Sequence, residues 1–129
     1  MPLFKSFFVA ILLTLAGCAA VAPPPTPEQQ AELDQVRTDY AEGRYGDVVR
    51  RVARSGTIDR SPQPTRIEAY KLQAFSYCMI GYEQLCEDSF NRIFALDADF
   101  ALAAGEESHP QWGPVYERVR NAHTGTGAR

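Results

Sequence analysis

Two segments of this 129-residue chain follow one plan. "YAEGRYGDVVRRV", from Tyr40, and "YCMIGYEQLCEDSF", from Tyr77, each place a tyrosine three or four residues ahead of a glycine. Each glycine then gives way to apolar residues at helical spacing. Gly43 and Gly81 are 38 residues apart. A glycine that ends one apolar-periodic run and precedes another marks a helix C-terminus followed by a second helix. The spacing predicts a first helix from Glu28, with Leu33, Val36 and Tyr40 three and four apart, broken at Gly43 and Gly46. Val48, Val49 and Val52 carry a second helix to about Ala53. Ser55 to Thr65 is polar with two prolines and reads as a loop. A third helix is expected over Arg66–Met79, with Ile67, Tyr70, Ala74, Tyr77 and Cys78 on one side. A fourth is expected over Glu83–Leu96, where Cys86, Phe90 and Ile93 form a stripe beside Phe94. No strand-like alternation competes, so the fold class is all-α, built on two helical hairpins.

After residues 97–109, a connector, Pro110 is placed for the first turn of a last helix. Trp112, Val115, Tyr116 and Val119 there fall at i, i+3, i+4 and i+7. The second hairpin resembles a tetratricopeptide repeat, a unit of about 34 residues. Tyr70, Ala74, Tyr77, Cys86 and Phe90 match its pattern, whereas Gln73 stands where that motif has Leu and Ala98 where it has Pro. Small residues such as Ala74 let two helices approach, and Tyr70, Tyr77, Phe90 and Ile93 fill the space beside them. The first hairpin matches only at Gly43, Tyr45 and Val48. Two hairpins fall below the three or so that a stacked array needs. The helix with Trp112, Val115 and Tyr116 is therefore expected to cap the exposed face. The helical domain is bounded at 28–121, and residues 122–129 are expected to form a disordered tail.

The N-terminus follows other rules. Lys5 precedes "FFVAILLTLA", Phe7 to Ala16, an apolar run of signal-peptide length and shorter than the roughly 20 residues of a membrane span. Residues 1–17 are accordingly set apart from the folded part. Leu15, Ala16, Gly17 and Cys18 resemble the lipobox of bacterial lipoproteins at every position. That resemblance implies a covalent lipid on Cys18, cleavage before it and acylation of the new amino group. With Ala19 rather than Asp next, it also implies an outer-membrane location facing the periplasm. Four prolines between Pro23 and Pro27 favour an extended polyproline II spacer, so residues 18–27 read as lipidated cysteine and tether. Thr26 and Pro27 then suit a helix start.

Of the three cysteines, Cys18 is taken by this reading. Cys78 lies four residues before Tyr82 and Cys86 four after it, which puts both at one level of a helical hairpin. In an exported domain they would form a disulfide, contributing about 2–3 kcal/mol for so short a loop. Two small buried thiols at close-packed positions are the alternative, and a metal site lacks further ligands nearby.

No Gly-rich phosphate loop, Ser–His–Asp arrangement or paired metal-ligand spacing occurs. Neither a catalytic residue, a metal nor a cofactor beyond the lipid is expected. Glu106, Glu107 and His109 read as a helix-entry segment rather than acid–base groups. Arg50, Arg51 and Arg54 read as a solvated face that could also meet a partner. The net charge of −3 and the absence of a basic run argue against nucleic acid.

Taken together, the lipobox, the proline spacer, the cysteine-bearing hairpin and "FALDADFALAAGEESHPQWGPVYERVR" resemble the small tetratricopeptide lipoproteins associated with type VI secretion in Gram-negative bacteria, the TssQ type. Phe100, Glu106, His109, Pro110, Trp112 and Gly113 carry the specific part. The resemblance implies a non-enzymatic accessory or assembly role, binding a protein or peptide of an envelope complex. A scaffold for another envelope machine, or a regulatory subunit of an envelope enzyme, are the competing readings.

Overall fold

The computed structural model describes residues 21–126. Within them the chain is all-helical: α1 (Pro27–Ala41), α2 (Tyr45–Arg54), α3 (Gly56–Asp59), α4 (Gln63–Met79), α5 (Glu83–Leu96), α6 (Ala104–Glu107) and α7 (Gly113–Thr126). α1 with α2 and α4 with α5 form two antiparallel hairpins. α4 is the central element, packed on α1, α2 and α5, and α7 covers α5. The signal segment 1–17 and Cys18 lie outside the described residues.

Each boundary has a local cause. Thr26 caps α1 through a reciprocal pair: its Oγ1 accepts from the Gln29 amide at 3.2 Å, and Gln29 Oε1 accepts from the Thr26 amide at 2.9 Å. Pro27 occupies the first turn, where no amide is needed. The two hairpin turns are the same motif. Gly43 (φ 73°) and Gly81 (φ 87°) are left-handed, a conformation that a side chain disfavours by about 1–2 kcal/mol. Gly43 N donates to Tyr40 O and Arg44 N to Asp39 O. At the same offsets, Gly81 N donates to Cys78 O and Tyr82 N to Tyr77 O. Both are Schellman turns, which satisfy the last carbonyls of a helix. Gly46, expected in the break, lies instead within α2.

The equivalence at 38 residues extends into the core. Val36 and Ala74, Val48 and Cys86, and Val52 and Phe90 occupy matching places, all essentially fully buried. The valine stripe of α2 thus meets α4 as the Cys86–Phe90 stripe of α5 does from the other side.

The linkers hold more helix than their composition indicates. The Ser55–Thr65 loop contains α3, capped by Ser55 Oγ accepting from Ile58 N at 3.1 Å, and already includes the start of α4 at Gln63. Ile58 is buried, and α3 serves as a plug beneath α1 and α4. The last helix starts at Gly113 rather than Pro110. Pro110 and Gln111 stay in a turn because Gln111 N donates to His109 Nδ1 at 3.2 Å and Gly113 N to His109 O at 2.8 Å. α7 also continues to Thr126, past the boundary expected at Asn121. His123 stacks on Phe94 with 5.0 Å between centroids, and its Nε2 lies 2.9 Å from Asn91 Oδ1, which ties this end to α5.

Candidate functional site

The residues expected to pack the second hairpin lie together between α4 and α5. Ala74, Phe90 and Ile93 are fully buried. Tyr70 is covered by the Arg92 guanidinium, 3.9 Å above its ring, and its hydroxyl donates to Asp59 at 3.2 Å. Burial raises the Tyr70 pKa above its usual value. Tyr77 is half-buried, edge-on to Tyr82 at 6.4 Å. Cys78 and Cys86 form a disulfide with Cα atoms 5.3 Å apart. Helices normally pack 8–10 Å apart, so a Cα separation of 5.3 Å marks a close approach of α4 and α5 on either side of the Gly81 turn. Both cysteines are buried, and the S–S bond between them sets aside the alternative of two free thiols.

Trp112, Val115 and Tyr116 are all buried, in two roles. Val115 and Tyr116 face α5 from α7, with the Tyr116 ring 5.6 Å from Phe90. Trp112 precedes the helix and turns toward α4. It stacks on Phe75 at 3.9 Å, and His109 stacks on its other face at 3.5 Å. The indole Nε1 donates to Glu106 O at 2.9 Å. Glu106 also accepts from Lys71 Nζ at 2.8 Å and from the Ala103 amide at 3.1 Å. Tyr40 of α1 lies 6.3 Å from Phe75. The segment from Ala103 to Trp112 therefore covers the face of α4 beside α1. Glu106 and His109 are structural fasteners of that segment.

A second feature escaped the sequence. Asp39 is only 2% exposed, yet four donors converge on it. Arg44 donates at 2.7 and 3.2 Å, Arg51 at 3.0 Å and Gln35 at 3.0 Å. Burial opposes its ionisation, but the hydrogen bonds from Arg44, Arg51 and Gln35 outweigh it and hold the carboxyl below the ordinary range. The C-terminal Schellman position is the only cue. Asp39 and Arg44 occupy the pair of places that Tyr77 and Tyr82 occupy in the second turn. Arg51 is thereby drawn out of the expected basic cluster, and Arg50 pairs with Asp47. With Arg54, Glu32 and Ser55 they line an open groove of about 360 Å³. Arg54 has no ion-pair partner among the described residues, and the groove alternates charge rather than presenting one sign.

Among the described residues there is no group of three or more His, Cys, Asp or Glu side chains placed to hold a metal ion. No helix among them is long and apolar enough to cross a membrane. The large apolar side chains that remain exposed in the folded part are Ile80, Tyr82 and Leu85, at the α4–α5 turn. No family model, curated protein or solved structure matches the chain.

Proposed function

We propose that the protein is a lipid-anchored accessory factor of a bacterial envelope complex, held at the outer membrane through Cys18 and binding a protein partner in the periplasm. The observation that carries this reading is the order Leu15-Ala16-Gly17-Cys18, proline tract, helix cap at Thr26. Acyl chains on Cys18 would supply the membrane affinity, each buried methylene contributing about 0.8 kcal/mol. The proline tract would keep the helical domain clear of the headgroups. A helical-hairpin domain closed by a disulfide suits an oxidising compartment such as the periplasm. The partner assignment, a type VI secretion assembly, rests on the resemblance of the Phe100–Gly113 segment to the lipoproteins of that system.

The test uses the full chain in a Gram-negative host. An alkyne fatty acid is expected to label the wild type, which fractionates with outer membranes. Cys18→Ser is expected to lose both properties. Secretion-system components should be recovered with the wild type from detergent-solubilised envelopes. An unlabelled wild type would remove the anchor from this reading, and recovery of envelope proteins without any secretion component would remove the assembly.

A further inference from the structure

We infer that the α4–α5 turn is a docking knob, in which Ile80, Tyr82 and Leu85 enter an apolar, basic-rimmed recess on a protein partner.

The two hairpins supply an internal comparison. At the 38-residue offset Ile80, Tyr82 and Leu85 correspond to Glu42, Arg44 and Asp47. The backbone is the same Schellman turn in both. In the first turn Arg44 pairs with Glu42, Asp39 and Asp47, as a solvated tip should. In the second, the equivalent side chains are apolar and 39%, 57% and 41% exposed. The backbone places no demand for apolar side chains there, since the first turn forms without them.

The knob is pre-formed. Tyr82 leans on Tyr77, and the Cys78–Cys86 bridge ties the two helices directly beneath. Little ordering remains to oppose binding. It is also the free end of the domain. Gln29 reaches Arg60, Arg37 pairs with Glu68, and Tyr40 lies beside Phe75, so α1 and α4 run parallel. Both glycine turns therefore sit at the end remote from Thr26, a helix length of about 22 Å away. The face of α4 beside α1 is covered by the Ala103–Trp112 segment, and α5 is covered by α7.

Charge selects the occupant. Glu83, Glu87 and Asp88 fringe the knob. Arg118 pairs with the first two, and Asp88 accepts only from Gln84 among the described residues. Three carboxylates against one guanidinium favour a basic rim. A second copy would oppose acidic fringe to acidic fringe. An anionic lipid surface meets the same repulsion. The inference rests on the proposed role only for which end faces the periplasm.

The full chain carrying benzoylphenylalanine in place of Tyr82 is irradiated in cells, beside a chain carrying it in place of Arg44. Position 82 is expected to give a discrete protein adduct, mapped to an apolar segment flanked by Lys or Arg, and position 44 none. Leu85→Lys in the same chain should reduce the adduct at least about tenfold. Ile80→Lys gives the same readout should Leu85→Lys lower Tm. The inference is overturned by no adduct at 82, by equal adducts at 82 and 44, or by a cross-link to lipid, to a second copy or to an acidic segment. A basic-flanked adduct from a protein outside the secretion apparatus upholds the knob and counts against the proposed assembly.

Discussion

Gln73→Leu is expected to stabilise the protein, against the usual sign of a core substitution. Gln73 faces α2 from α4 and is only 2% exposed. Its Nε2 reaches Val49 O at 3.4 Å, a long hydrogen bond, and its Oε1 is buried without a partner. An unsatisfied buried acceptor costs about 1–3 kcal/mol, whereas a hydrogen bond of good geometry contributes about 0.5–1.5. Leu adds apolar surface at similar volume, and a fully buried Leu contributes about 1.5–3 kcal/mol relative to an exposed one. Setting the small hydrogen-bond loss and imperfect fit against both gains leaves about 1–2 kcal/mol in favour of Leu. For a domain of this size that raises Tm by about 5–15 °C in thermal unfolding followed by circular dichroism. Gln73→Glu supplies the opposite sign, because it places a carboxylate at the same unpaired position. A Tm for Gln73→Leu at or below wild type would refute the reasoning, and would mean that Oε1 is satisfied or that the α2–α4 contact requires the amide's shape.

Four further outcomes are expected. Cys78→Ser with Cys86→Ser, eight residues apart, should lose about 2.5 kcal/mol, seen as a lower urea midpoint. Asp39→Asn should be less stable at pH 7. The Asp39 carboxyl has a folded pKa below its unfolded value of about 3.9, so its contribution is present above pH 4 and lost as pH falls through the folded pKa. Stability of the variant should accordingly fall less than wild type over that acid range in urea titrations at stepped pH. Trp112→Ala removes a ring stacked between Phe75 and His109 and should cost about 3–5 kcal/mol by chemical denaturation. Gly81→Ala should cost about 1–2 kcal/mol from its left-handed backbone, with open space around the new methyl, so that a larger loss in the same assay would point to a further contact.

Apolar periodicity and glycine punctuation made most of this fold legible. Glu83–Leu96 was readable to the residue, because Gly81 and a long apolar stripe bracket it. The same signals fail where a side chain, not the backbone pattern, decides. Pro110 resembles a helix start, yet the pull of Trp112 onto Phe75 and the His109 contacts keep the chain in a turn until Gly113. "NAHTGT" looks like a fraying end, but His123 finds Phe94 and Asn91 on α5 and the helix continues. α3 is four residues long, too short for periodicity to register, and is held by Ser55 and the burial of Ile58. The disulfide was readable from symmetric spacing about Tyr82. Asp39 was not, since a lone acidic residue near a helix end carries no sign of the arginines that fold back on it. The Ile80–Tyr82–Leu85 tip emerges only when the two turns are superposed in register and one proves ion-paired where the other is bare.

The Cys78–Cys86 bridge also bears on how the molecule takes load. A pull between Thr26 and the α4–α5 turn acts along α1 and α4, and a hairpin loaded at its turn ordinarily peels open there, one helical step at a time. A covalent cross-strut one turn below the point of attack removes that route. Yielding is diverted to the lateral seam between α1 and α4, where the Arg37–Glu68 pair and the Tyr40–Phe75 contact must shear together. Such a part is stiff at the tip and has its fuse along the seam between the two parallel helices.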